Sequence, residues 1–235
     1  MINFDVLTLF PEMFSPLNAS IIGRACDKGL VDFNIVNIRD FTDDKNGRVD
    51  DTPYGGGHGM VLRAQPVCDA VSHTDPEGRK RALYMSPRGR MLDKELLSEL
   101  ADEPEILILC GHYEGIDQRA LDICGFEEIS IGDYILTGGE LPAMVLIDAL
   151  TRLVPGALSD GDAATEESVY SGLLEYPQYT KPRQFRGYEV PKVLTSGDHG
   201  KVDAWRLEQA LELTENRRND LYEKYKVMEK DREKL

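Results

Sequence analysis

Three short stretches set glycines beside side chains that could recognise a ligand or move a proton. The longest is Ile129-Ser130-Ile131-Gly132-Asp133-Tyr134-Ile135-Leu136-Thr137-Gly138-Gly139-Glu140-Leu141-Pro142. A second is Gly111-His112-Tyr113-Glu114-Gly115, and a third is Met85-Ser86-Pro87-Arg88-Gly89. Glycine has no Cβ, so a ligand can lie against bare backbone, and Gly138 and Gly139 can each take a positive φ. All three follow apolar runs of strand type. Such loops at the carboxyl ends of neighbouring strands are where an α/β fold binds small molecules. Any one of them alone also reads as plain turn chemistry, and both readings stay open at this level.

The elements around these loops alternate. Residues 2–9 read as a first strand, and Phe10-Pro11-Glu12-Met13-Phe14 turns out of it. Leu17, Ile21, Ala25 and Lys28 have helical spacing, with Gly29 as the stop. A strand is expected at 33–38, helices at 64–71 and 92–101, and strands at 82–85 and 106–110. A helix over 116–124 and a strand over 127–131 follow. After a brief resumption past Gly132 the chain turns at Gly138-Gly139, and Leu141-Pro142 opens an apolar helix reaching Val154. Proline suits a first helical turn, where its missing N–H has no intrahelical partner. Strands alternating with helices predict an α/β fold whose mostly parallel sheet is covered on both faces.

Another glycine-rich stretch, Thr52-Pro53-Tyr54-Gly55-Gly56-Gly57-His58-Gly59-Met60, is not a Walker loop, because no Lys-Ser/Thr follows, and it misses the dinucleotide fingerprint. It reads as a surface loop, and His58 alone as a poor ligand or base. Cys26, Cys68, Cys110 and Cys124 have no metal-type spacing and read as buried reduced thiols. No apolar run reaches membrane-spanning length. The N-terminus lacks a basic region followed by an apolar one, so a cytoplasmic protein with no membrane partner is expected.

Net charge is −15, which at face value opposes a nucleic-acid partner. Its distribution says otherwise. Residues 170–235 hold 13 basic and 12 acidic side chains, leaving 14 and 30 for residues 1–169. The acidity belongs to the first part, and the tail can carry a basic face. Beyond Pro155 the texture changes to a linker of small and acidic residues, 156–170. An irregular proline-rich stretch from Tyr176 carries Lys181, Arg183 and Arg186. A helix is expected from about Val202, packing through Leu207, Ala210, Leu211 and Thr214. Arg206 and Arg217 share one of its sides and Arg218 lies next to it. These cations are either solvated helix-end charges or phosphate contacts. Residues 221–235 are highly charged and expected to fray.

Asp50-Asp51-Thr52-Pro53-Tyr54-Gly55-Gly56-Gly57-His58-Gly59-Met60, Gly111-His112-Tyr113-Glu114-Gly115, the stretch 130–142, and Gly172-Leu173-Leu174-Glu175-Tyr176-Pro177-Gln178-Tyr179-Thr180-Lys181-Pro182 occur in this order. Together they resemble the bacterial tRNA (guanine-N1)-methyltransferases, which methylate the guanosine at tRNA position 37, just 3′ of the anticodon. The resemblance covers nearly the whole chain. It implies a deep trefoil knot of the SPOUT class, which pattern reasoning would never choose because threaded chains are so rare. It implies a homodimer with active sites across the interface, S-adenosylmethionine as cofactor, tRNA as partner, and a Mg2+ dependence. No carboxylate cluster has obvious ligand spacing for that ion.

Carried over by position, the cofactor pocket comprises Tyr84, Ser86, Pro87 and Gly89 from the first loop, and Gly111, Tyr113 and Glu114 from the second. Ile131, Gly132, Asp133, Tyr134, Ile135, Leu136, Gly138, Gly139 and Pro142 come from the third. The implied domains are a knotted catalytic domain, 1–155, and a small, mainly helical tRNA-binding domain, 171–235. Lys181, Arg183, Arg206, Arg217 and Arg218 are the candidate RNA contacts.

Guanine N1 carries a proton at neutral pH, so methylation needs a base and stabilisation of charge developing at O6. The resemblance assigns the second role to Arg152. The family's base is an aspartate in Asp-Ser-Phe, where this chain reads Glu167-Ser168-Val169. Glu167 keeps the carboxylate on a longer arm, and Glu166 is the alternative. Two other functions remain on the table: a SPOUT enzyme for a different RNA, which the tail motifs disfavour, and a catalytically impaired RNA-binding protein, favoured only by that Glu-for-Asp exchange.

Overall fold

The structure, a computed structural model, describes residues 1–158 and 170–232. The chain divides into two compact units, Met1–Gly161 and Asp162–Leu235. The first is built on β1 (Ile2–Thr8), β2 (Val31–Asn37), β5 (Arg81–Met91), β6 (Glu105–Cys110) and β7 (Glu127–Ser130). They form one sheet in the order β2-β1-β6-β5-β7 with every pairing parallel. Parallel strands need crossovers, and α1 (Ser20–Asp27), α2 (Ala64–Thr74), α3 (Lys94–Ala101), α4 (Gln118–Cys124) and α5 (Glu140–Leu153) cover the faces.

Strand alternation sorts the core into two layers. Ile106, Ile108 and Cys110 of β6 point into one cluster, with Leu96 and Leu100 of α3 and Leu146, Ile147 and Leu150 of α5. Leu107 and Leu109 point into the other, with Val67 and Ala70 of α2 and Ala120 and Leu121 of α4. This is the continuous apolar run of a strand buried on both faces. Local signals fix the helix starts: Asp93 accepts from the Leu96 N–H at 2.9 Å and caps α3, and Asp117 caps α4 through the Arg119 N–H at 3.0 Å. Gly125 ends α4 in the left-handed region at φ 67°.

The expected strands and helices of this unit are present, with their ends moved. One difference matters for the site. The Met85–Gly89 stretch is not a loop after a finished strand. β5 pairs with β7 up to Met85↔Ile129, and pairing resumes at Arg90↔Ile129, so Ser86, Pro87, Arg88 and Gly89 loop out of a strand that continues. Bulges of this kind re-aim side chains beside binding sites. A Cβ on Gly89 would strike the Glu128 backbone, so β7 lies where no larger residue could be. A short hairpin, β3 (Asp50–Asp51) with β4 (Val61–Leu62), also escaped the strand reading and carries the glycine-rich loop.

In the second unit, α6 (His199–Arg217) begins earlier than expected because Asp198 accepts from the Lys201 N–H at 3.2 Å. Ala210 and Thr214 are its buried face, whereas Leu207 is 48% exposed, against the expectation. The Thr214 hydroxyl accepts from the Leu174 N–H at 2.8 Å and ties the irregular stretch to the helix. The charged end folds as α7 (Asn219–Arg232), and two-residue strands β8 (Gln184–Phe185) and β9 (Tyr188–Glu189) pair ahead of α6.

Because β6 is central and buried on both faces, Ile108→Ala should destabilise the first unit by about 2–5 kcal/mol through lost contacts and a cavity. Urea denaturation checks this, and a loss below about 0.5 kcal/mol would contradict the packing.

Candidate active site

The three loops converge. A cavity of about 400 Å³ is lined by Tyr84, Ser86 and Pro87 of the first, Gly111, Tyr113 and Glu114 of the second, and Ile131, Gly132, Tyr134, Ile135, Leu136, Gly138, Gly139 and Pro142 of the third. Met85, His112, Gly115, Ile129, Ser130 and Thr137 line it too; they belong to the same three stretches but not to the pocket that the resemblance assigned. Gly89 and Asp133 stand outside this lining. Gly89 serves the β5–β7 approach, and Asp133 is exposed on the loop.

Gly138 and Gly139 do not need positive φ, contrary to the sequence expectation. Of the three glycines in this third loop only Gly132 is in that region, at φ 150°. Gly139, at φ −82°, is required by proximity: a Cβ there would lie 2.8 Å from Cys110 Cα and from the Gly111 nitrogen. The Gly139 N–H donates to the Gly111 carbonyl at 2.8 Å. The start of α5 is thereby pressed onto the loop after β6, and both loops face one space. A Cβ on Gly138 would strike the Glu140 carboxylate and come within 2.9 Å of His112 Nδ1. Past β7 the chain holds itself in a tight turn and does not resume a strand. The Tyr134 N–H donates to the Gly132 carbonyl at 2.9 Å and the Tyr134 hydroxyl to the Ile131 carbonyl at 3.2 Å.

Polar groups beneath the loops are deeply set. Glu140, at the first turn of α5, is 2% exposed and its Oε1 accepts from the Thr8 hydroxyl at 2.9 Å. His112 Nδ1 is buried with no hydrogen-bond partner among the described residues, its ring held between Phe10 at 4.9 Å and Tyr113 at 5.1 Å. Burial, and then the Glu128 carboxylate, push the Tyr84 phenol up. Burial pushes the Cys110 thiol up strongly, with Glu140 adding to it, so Cys110 is a packing group and no nucleophile. Tyr113 takes a positive φ of 61° at the cavity wall, an uncommon geometry for an aromatic residue.

The glycine-rich loop backs this site. Gly55, Gly56, Gly57 and Gly59 all have positive φ, the Glu114 N–H donates to the Met60 carbonyl at 2.9 Å, and the Glu114 side chain occupies the space a Cβ on Gly59 would take. Read from sequence as a surface loop, this stretch gave no signal for that contact.

A family model described as tRNA (Guanine-1)-methyltransferase TrmD matches residues 2–224. The chain belongs to this family. It is 48% identical over 231 residues to the tRNA (guanine-N(1)-)-methyltransferase of Clostridium tetani, covering 98% of this chain and 96% of that protein. It is 52% identical to proteins of the same name from Ruminiclostridium cellulolyticum, over 224 residues, and Alkaliphilus oremlandii, over 234. The first covers 94% of this chain and 96% of the relative, the second 96% and 94%.

The other residues expected in the chemistry are distributed along the chain. Arg152 is half-buried on the last turn of α5 and does not line the cavity. Glu166 and Glu167 lie outside the described residues. In the second unit Lys181 and Arg217 are exposed. Arg183 donates to the Thr195 hydroxyl at 2.6 Å. The Arg206 guanidinium stands 5.0 Å over the Tyr176 ring. Arg218 reaches Asp220 at 2.9 and 2.6 Å and holds that carboxyl down to about 2. No group of three His, Cys, Asp or Glu that could hold a metal occurs among the described residues. No helix among them is long and apolar enough to cross a membrane.

Since the Gly139 Cβ would meet backbone and not the end of a side chain, Gly139→Ala should cost about 1–3 kcal/mol as overpacking. Gly111→Ala meets the end of the Tyr84 ring at 2.8 Å, which can swing, and should cost less. Thermal unfolding of both compares them, and equal melting temperatures would refute the distinction.

Proposed function

We propose that this protein transfers the methyl group of S-adenosylmethionine to N1 of guanosine 37 of tRNA, in the cytoplasm and as a homodimer. In this reading residues 1–155 are a trefoil-knotted SPOUT domain, 156–170 a linker, and 171–235 a mainly helical tRNA-binding domain. The observation that carries it is the convergence, on one cavity, of the glycine loops by which the chain resembles its family.

The cavity suits the cofactor. Its volume is in the range of small-molecule sites and it offers the apolar sides of Tyr84, Pro87 and Leu136 with the bare backbone of Gly111, Gly138 and Gly139. The orphaned, buried His112 Nδ1 leaves a polar atom at the wall to be satisfied. The Glu114 carboxylate supplies negative charge for a cationic ligand. S-adenosylmethionine contributes the electrophilic methyl carbon. The protein's own part is to take the N1 proton on Glu167 while Arg152 offset the charge developing at O6.

Arg152 supports the dimer. Twelve residues of α5 separate it from Glu140, about 18 Å at helical rise. The cavity sits at the start of that helix, so the chain's own Arg152 is too far from it to serve. Leu141, Val145, Asp148 and Arg152 share one outer face of α5 by their i, i+4, i+7, i+11 spacing. Leu141 and Val145 are each 48% exposed on it, apolar surface for a second copy to cover, with Arg152 carried to the partner's cavity.

Two experiments test this. Glu167→Gln should lower single-turnover methyl transfer by about 10²–10⁴-fold with cofactor affinity kept, as for loss of a general base. Glu167→Asp should keep much of the rate. A wild-type rate for Glu167→Gln would clear that residue and leave Glu166 as the acceptor. Arg152→Ala and the cavity-filling Pro87→Trp should each be nearly inactive. Equal parts of the two, unfolded and refolded together, should recover about a quarter of wild-type activity, because half the dimers are mixed and each mixed dimer has one intact site. No recovery would refute the shared site.

Binding of tRNA should weaken with salt through counterion release. Arg218 is already engaged by Asp220, so charge reversal at Arg217 should cost more tRNA affinity than reversal at Arg218. Filter binding across salt concentrations compares them, and an unchanged affinity for both variants would remove this face.

A further inference from the structure

Cys68 and Cys124 are 56 residues apart in sequence, and the fold brings them together. Cys68 lies in the second turn of α2 and Cys124 is the last residue of α4. The Cys124 thiol donates to Cys68 Sγ at 3.7 Å. Both are half-buried and unbridged, and both line an open cavity of about 690 Å³ on the face away from the loops described above. The sequence reads as carrying buried reduced thiols. Cys110 is one, but this pair is reachable from solvent.

We propose that Cys68 and Cys124 form a dithiol modification site, closed to a disulfide by a hydroperoxide and reopened by a small thiol. A bond length near 2.05 Å requires the sulfurs to approach by roughly 1.7 Å, shared between two side chains that already face one another. Burial, and then the Cys68 sulfur, push the Cys124 thiol up to about 12, so Cys124 does not ionise first and Cys68 makes the first attack. The Cys68 thiolate attacks one oxygen of hydrogen peroxide, the O–O bond breaks, and a sulfenic acid forms as hydroxide leaves, taking the Cys124 thiol proton to become water. The Cys124 sulfur, now deprotonated, attacks the Cys68 sulfur, forms the S–S bond and expels the second oxygen as hydroxide, which takes a proton from solvent to become water. Two thiols lose two hydrogens and peroxide becomes two waters.

The bond would join two helices whose starts are already tied. Leu62, just before α2, accepts from the Asp117 N–H at 2.9 Å and donates to the Gly115 carbonyl at 2.9 Å, just before α4. Gly115 belongs to the wall of the active-site cavity. The disulfide would therefore lock α2 and α4 as one block behind that wall.

The test uses the full chain, reduced and freed of reductant. It is treated with hydrogen peroxide, alkylated with iodoacetamide, digested and analysed by mass spectrometry. The expected product is a cross-linked peptide pair containing Cys68 and Cys124, lighter by two hydrogens, with two of the four thiols lost to titration and restored by dithiothreitol. The same oxidation in urea should scatter pairing among all four cysteines, showing that the fold selects the pair. Cys68→Ser should abolish the cross-link, and its fold can be checked by melting temperature. Both cysteines still alkylated, sulfinic acid at Cys68 without a cross-link, or equal pairing with Cys26 in the folded protein would each overturn the proposal.

Discussion

The approach of Gly139 to the backbone of Cys110 and Gly111 is the constraint on which the site depends. One hydrogen bond, from the Gly139 N–H to the Gly111 carbonyl at 2.8 Å, fixes where α5 begins relative to the end of β6. Only a residue without a side chain can sit there, since a Cβ would lie 2.8 Å from Cys110 Cα. From that contact follow the placement of Gly138 over His112, the burial of Glu140 against Thr8, and the turn at Gly132 that returns the chain from β7 to α5. The cavity is the space left between loops drawn together by backbone contact.

Much of this was legible in the residues. The alternation of apolar runs with amphipathic ones marks β1, β6 and the helices between, because a parallel strand buried on both faces must be apolar throughout and its crossover must have one apolar side. The three glycine loops were legible as places where backbone is approached. What they were approached by was not, since Gly139 needs space where Gly132 needs a positive φ, and both needs select the same residue type. The bulge at Ser86–Gly89 was hidden for a related reason: Ser-Pro-Arg-Gly reads as a turn, and only pairing to β7 on both sides of it reveals a continuous strand. The Cys68–Cys124 contact was invisible because it is made across two helices from distant parts of the chain.

Net charge alone hides an uneven distribution. The excess of acid lies in residues 1–169, and part of it is spent inside the first unit. Arg81 alone is held by Glu99, Glu103 and Glu127 at 2.6, 3.4 and 2.6 Å. Lys80 reaches the buried Asp5 at 2.6 Å. In the second unit the arginines differ in the same way. Arg218 has Asp220 and Arg183 has Thr195, whereas Arg217 stands exposed on the last turn of α6. An arginine with an anion of its own must exchange it before it can meet a phosphate, so equal formal charges are unequal partners.

The length of α5 gives the remaining step. A helix that must start at the cavity, because Gly139 is pinned there, and that runs fourteen residues to Leu153 carries its last turn far from where it began. Rigid helices cannot fold Arg152 back. Under the proposal that Arg152 serves the substrate, both ends of α5 are needed at one site, which calls for two copies of that helix, each offering its start to one site and its end to the other. An isologous pair does this with one interface, because a two-fold axis makes each contact occur twice. The outer stripe of Leu141 and Val145, leading toward Arg152, has the composition such a contact calls for: apolar at its centre and charged toward its rim.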